Sequence, residues 1–173
     1  MDAAWTDGVE LTPAARESLE TRIVERYQAG EEACGYIVGP AEPTILCDEV
    51  VPLVNMIGKM HARDPVRFPR GPRTAFAFSL SLFERAIRVG RMEGRPVKVL
   101  FHSHLDAPAH LGATDRAMFS QGHPPRGGRP GRLGHGPIAP LLFLVTSVGA
   151  EGIVEHRGYR WRDGDFVATP VRV

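Results

Sequence analysis

The chain has 173 residues, 43% apolar and 24% charged, with a formal net charge of +1. That length suits one domain, 1–173, with a sizeable core, and so balanced a charge argues against nucleic acid or a membrane surface as partner. Met1–Glu10 carries acidic residues and no leader-length apolar run, Leu141–Val145 is too short to cross a bilayer, and two cysteines make no disulfide scaffold, so a cytoplasmic protein with reduced Cys34 and Cys47 is expected.

Thr12-Pro13 opens a helix, with Thr as cap and Pro in the first turn. Leu19, Ile23 and Tyr27 recur every four residues and turn one face inward, and Gly30 ends the helix. Glu31 and Glu32 follow. Negative charge is unfavourable at a helix C-terminus, so one of the two has a role beyond solvation. Cys34–Val38 reads as a buried strand and 44–55 as a longer one, with Pro52 marking an edge or a bend. Residues 56–73 are basic (Lys59, His61, Arg63, Arg67, Arg70 and Arg73), and Pro65, Pro69 and Pro72 argue against a regular element there. Residues 74–78 alternate as a short strand. Ser81 to Glu84 is a capping-box pattern opening a second helix, with Leu82, Phe83, Ala86 and Ile87 on its apolar face and Gly94 at its close.

Residues 97–104, VKVLFHSH, form a buried-type strand that ends in two histidines. Strand side chains alternate faces, so His102 and His104 point the same way and Phe101 and Ser103 the other. Asp115 follows a loop containing Pro and Gly, at the start of a helix that Thr114 can cap, with Met118 and Phe119 turned inward. His-x-His alone is a weak signal. With a carboxylate that returns to the same point, three ligands leave a fourth tetrahedral position open, the arrangement of a catalytic zinc. Glu32 is the carboxylate able to take a proton from activated water and pass it to a leaving amine. Residues 121–138, rich in Gly, Pro, Arg and His, read as a mobile loop beside the site, with His123 and His135 solvated rather than ligating. Residues 141–147, 152–156, 158–162 and 166–171 read as closing strands, with Asp163-Gly164-Asp165 as a hairpin turn. This order suits an α/β fold with a curved mixed sheet flanked by helices.

Together these residues resemble the JAMM (MPN+, Mov34/JAB-type) zinc metalloprotease family in its short bacterial form, over roughly residues 10–172. HSHLDAPAHLGATD is similar to the bacterial pattern HSHPDAPARPSATD, Asp115 stands eleven residues after His104, and Glu32 sits in a matching Glu-Ala-Cys-Gly frame followed by Gly39. The resemblance implies an α-β-α sandwich with a curved mixed β-sheet (JAB/MPN-like, cytidine-deaminase-like). It implies Zn2+ on His102, His104 and Asp115, and Glu32 as general base and then acid. The implied reaction is hydrolysis of peptide or isopeptide bonds after the C-terminal Gly-Gly of ubiquitin-like or sulfur-carrier proteins. Arg67 and Arg70 fall in the insertion that holds the substrate tail in that family.

Three positions depart from the pattern. Gly112 replaces the family Ser that helps hold the carbonyl oxygen, and Leu105 and Leu111 replace prolines. Loss of one oxyanion donor costs about 100- to 1,000-fold in turnover, so Gly112 keeps open an alternative: a catalytically weak MPN scaffold that binds a partner protein. A further metal reading fails on one residue. His102-Ser-His104-Leu-Asp106 begins like the His-x-His-x-Asp-His of metallo-β-lactamase-type hydrolases, but Ala107 stands where the next His belongs.

Overall fold

The computed structural model describes residues 3–173; Met1 and Asp2, the start of the segment read for a leader, lie outside them. A short strand, β1 (Val9–Leu11), leads into α1 (Pro13–Gln28). Thr12 caps that helix by accepting the Ala15 N–H at 3.1 Å, as its sequence predicts. Leu19 and Ile23 are fully buried, and Gly30 leaves the helix at φ 75°, a conformation glycine adopts without strain.

The predicted strand Cys34–Val38 is present as β2. The predicted strand 44–55 is two strands, β3 (Leu46–Cys47) and β4 (Glu49–Leu53), because its halves join different sheets. Pro52 lies on β4, an edge strand, where its missing N–H costs no ladder bond. In the basic segment a short helix, α2 (Ile57–Arg63), forms against expectation, since the prolines begin only at Pro65. Thr74 lies in a turn and 75–78 join no sheet ladder, so the predicted strand 74–78 does not form. Helix α3 (Leu80–Met92) is capped by Ser79, which accepts the Leu82 N–H, and not by Ser81. Phe83 is buried in it, whereas Leu82, predicted on its inner face, is exposed.

The central strand is β5 (Val97–Leu105), followed by α4 (Ala113–Phe119). Gly112, not Thr114, is the α4 N-cap, and Met118 is exposed while Ala117 is buried. Residues 121–138 are anchored at their base, since buried Ser120 accepts the N–H groups of Gly134 and Gly136. The chain closes with β6 (Leu142–Gly149), β7 (Gly152–Arg162), β8 (Asp165–Thr169) and β9 (Val171–Arg172). The two predicted strands 152–156 and 158–162 are thus one, and Pro170 divides the predicted strand 166–171. Asp163 and Gly164, both at positive φ, make the expected tight hairpin turn.

Six strands form a mixed sheet in the order β4-β2-β5-β6-β7-β8, parallel only between β5 and β6. A second, all-parallel sheet runs β3-β1-β9. On one face of the large sheet Phe101 and Leu105 pack with Leu19 and Ile23 of α1; on the other Leu100 packs with Phe83 of α3, and Phe119 of α4 joins them. This is the predicted α-β-α sandwich. Opposite β2 the register slips between Ile37 and Val38, and Lys98 is the extra residue of the bulge. Its buried ammonium donates to the carbonyls of Pro40 and Thr44 at 2.7 Å and of Leu46 at 2.9 Å, tying the centre of the large sheet to the chain entering the small one. Cys34 and Cys47 are buried free thiols. Among the described residues no helix is long and apolar enough to cross a membrane.

Candidate metal centre

The alternation of β5 brings His102 and His104 to the α3/α4 face, while Ser103 points to the α1 face beside Phe101. The first turn of α4 returns Asp115 to the same point. His102 Nε2 and His104 Nε2 are 3.2 Å apart, and Asp115 Oδ2 lies 3.3 Å from the first and 3.7 Å from the second. Donor atoms bound to one tetrahedral zinc at about 2.0–2.1 Å stand about 3.3–3.4 Å from one another. The three observed separations bracket that spacing, so these residues fit a metal as a set.

The orientation of His104 supports the same fit. Its Nδ1 donates to the Pro108 carbonyl at 2.8 Å. A carbonyl can only accept, so in the neutral ring Nδ1 carries the proton and Nε2 presents its lone pair. His102 is almost fully buried, with Phe76 stacked on it at 4.6 Å and the edge of Phe119 at 5.9 Å. Aromatic walls of this kind fix the ring and strengthen electrostatics at the site.

Titration reflects the crowding. Burial opposes the Asp115 carboxylate, but hydrogen bonds and charge from His102 and His104 outweigh it and hold Asp115 below the ordinary carboxylate range. Burial also works against a charged His104; its bonds to Asp115 and Pro108 prevail and raise it.

Glu32 lines the same cleft, a space of about 250 Å³ bounded also by Arg70, Thr74, Gly112 and Asp115. It is 5% exposed, and burial pushes its carboxyl up to about 8. Glu31 instead pairs with Arg26 at 2.8 Å on the helix end, so the two glutamates divide as solvated charge and cleft carboxyl. The Glu32 backbone is held on both sides. Its N–H donates to Pro72 O at 2.7 Å, and its carbonyl accepts from Asn55 at 3.1 Å. The neighbouring Ala33 exchanges bonds with Ser103, whose Oγ accepts the Ala33 N–H and whose N–H donates to Ala33 O. Sequence reasoning missed Asn55 and Ser103. The available signal was a small hydroxyl on the apolar face of a buried strand.

Gly112 has φ −68° and ψ 166°, open to any residue, and a Cβ built there would lie 3.7 Å from Asp115 Oδ2, an ordinary contact. Of the two arginines singled out, Arg70 reaches the cleft, whereas Arg67 lies over the Phe68 ring at 5.3 Å and does not line it. His123 pairs with Arg132 by backbone bonds, and neither His123 nor His135 belongs to the metal-competent group. A second, apolar cavity of about 320 Å³, walled by Phe76, Phe78, Leu80, Met118 and Ile138, adjoins the cleft and shares Arg70 and Asp115 with it.

The sequence matches the family of prokaryotic homologs of the JAB domain over residues 16–157. The chain belongs to that family. No curated protein matches the chain significantly. Among solved structures, a Desulfitobacterium hafniense protein is 20% identical with a TM-score of 0.60, covering 94% of this chain and 90% of its own. A Salinibacter ruber protein is 18% identical with a TM-score of 0.52, covering 95% and 92%. A JAB1/MPN domain protein of Archaeoglobus fulgidus, 13% identical, matches with a TM-score of 0.46 over 95% and 99%. The first two likenesses are of fold. The JAB family includes metallopeptidases, and this JAB domain carries a His102–His104–Asp115 group able to hold a metal ion.

Proposed function

We propose that this JAB domain is a zinc-dependent peptidase or isopeptidase, cleaving amide bonds after the C-terminal Gly-Gly of a ubiquitin-like or sulfur-carrier protein. The observation that carries the reading is the convergence of three candidate ligand atoms beside a cleft lined by a buried carboxyl, Glu32, whose backbone is held on both sides. Zinc on His102, His104 and Asp115 would supply Lewis acidity and acidify water. Glu32 takes the proton from the attacking water and delivers it to the leaving amine. Its burial suits this, because a base whose pKa lies near the working pH both accepts and returns a proton readily. Gly112, Ala113 and Ala107 leave little side-chain bulk along the cleft, which suits a glycine tail.

Residues 74–78 support an extended substrate. Asn55 and Met56 take the backbone groups of Ala75 and Ala77. Alternation turns those of Phe76 and Phe78 the other way, where a second strand can pair. The adjoining apolar cavity accepts an apolar side chain of that strand.

Gly112 favours the second reading, a catalytically weak scaffold that binds a partner protein. One experiment separates the two: metal analysis of the purified protein, together with cleavage of a ubiquitin-like protein extended beyond Gly-Gly. About one zinc per chain and a cut after the second glycine support the peptidase. Bound zinc with no cleavage leaves the scaffold, and absence of any metal overturns the metal site.

A further inference from the structure

We infer that Asp106 is a positioning residue that keeps Glu32 in place relative to the two histidines; only the kinetic arm of its test rests on the peptidase reading. Asp106 follows β5, two residues past His104, at φ 53°, a left-handed conformation that Asp tolerates better than most residues. Its N–H donates to Val148 O at 2.8 Å, fixing it to the end of β6. Its two carboxylate oxygens then reach different segments. Oδ1 accepts the Tyr27 hydroxyl at 2.9 Å, and Oδ2 accepts from Arg73 at 2.9 Å.

Both partners lead to Glu32. Tyr27 is in the last turn of α1, five residues before it. Arg73 directly follows Pro72, whose carbonyl takes the Glu32 N–H at 2.7 Å. One carboxylate on the histidine strand's exit thus grips the segment that delivers Glu32 and the segment that anchors its backbone. Tyr27 and Arg73 are not sequence neighbours, and neither bond is needed to satisfy a buried group: in the Arg73 pair the side chains are 58% and 49% exposed.

Such exposed pairs add little to stability. The geometry they set matters more, since a displacement of about 1 Å at a reacting group costs about 100-fold in rate. Asp106 therefore affects turnover much more than folding.

Asp106→Gly removes both arms and keeps the backbone angle unstrained. Asp106→Asn keeps an acceptor for Tyr27 but turns an amide toward Arg73. In Asp106→Gly, hydrogen exchange at the Glu32 N–H should accelerate about 10-fold, while that at the Ser103 N–H stays unchanged. Bound metal and the melting temperature should hold. On a ubiquitin-like protein extended beyond Gly-Gly, kcat should fall about 10- to 100-fold with KM unchanged. Asp106→Asn should fall between this variant and the parent. Unchanged Glu32 exchange in Asp106→Gly overturns the inference, and so does equal acceleration at Glu32 and Ser103, which marks general loosening. If the parent protein cleaves nothing yet Glu32 exchange responds selectively, the inference stands and the peptidase reading falls.

Discussion

Two histidine clusters lie on opposite faces of the large sheet, and they differ in where their protons go. On the α1 face, His156 stands between Thr146 Oγ1 at 2.8 Å and Glu20 Oε1 at 3.0 Å. A carboxylate only accepts, so Nε2–H donates to Glu20 and Nδ1 takes the threonine proton. Every polar atom of that ring is satisfied within the protein. On the other face, His102 and His104 turn their Nε2 atoms toward each other and toward Asp115, three atoms better suited to sharing a cation than a proton. Burial and a nearby carboxylate are common to both clusters. What separates a metal-competent group from a structural histidine is convergence of lone pairs.

Deleting one histidine from each face tests this most severely. His104→Ala should lose most of its bound zinc, measured by elemental analysis, with little loss of fold. His156→Ala should keep its zinc and lose about 1–3 kcal/mol of stability in denaturant unfolding, the cost of stranding buried partners. Zinc loss in His156→Ala, or retention in His104→Ala, would erase the distinction.

Glu32→Gln should keep zinc and lower turnover at least about 100-fold, whereas Glu31→Gln should change little. The same substitution has a pH consequence in the metal-free protein. Glu32 ordinarily titrates near 4.5 and is raised to about 8 in the fold. The folded state therefore holds this proton more tightly than the unfolded chain. Its contribution to stability is full below about 4.5 and is lost as pH rises through about 8. Melting curves of the metal-free protein should show that decline, and Glu32→Gln should flatten it.

Arg70→Glu should raise KM about 10-fold with kcat nearly constant, because it removes binding common to ground and transition states. Arg67→Glu should do much less, since its side chain lies away from the cleft. An equal effect of both would return the segment to general electrostatics.

Gly112→Ser is the smallest expected change. The site's φ of −68° imposes no strain, so a hydroxyl there should raise kcat, by about 10-fold or less, short of the full value of an oxyanion donor. Unchanged kcat at matched zinc content would mean that the carbonyl oxygen is held another way.

The convergence of His102, His104 and Asp115 was legible because strand alternation and a short loop bring them together locally. Glu32 was legible from charge at a helix end and the family frame. Asn55, Ser103 and Asp106 were not, because their partners are distant in sequence: Ser103 binds a residue 70 positions away and Asp106 one 79 away. Among the elements, 74–78 has strand-like alternation, but its neighbours Asn55 and Met56 belong to no strand, and ladder pairing is what defines a strand. The split of 44–55 followed from the small parallel sheet, whose two- and three-residue strands carry no periodicity to read.

Cys34 sits opposite His102 across the β2–β5 ladder, one strand from the metal-competent group, yet burial pushes its thiol up to about 12, and Cys47 likewise. A thiol held in that state neither competes for zinc nor attacks alkylating reagents at neutral pH. Labelling by iodoacetamide must therefore wait for the sheet to open. Its rate is a built-in clock for global unfolding, readable by mass spectrometry without touching the Glu32 cleft.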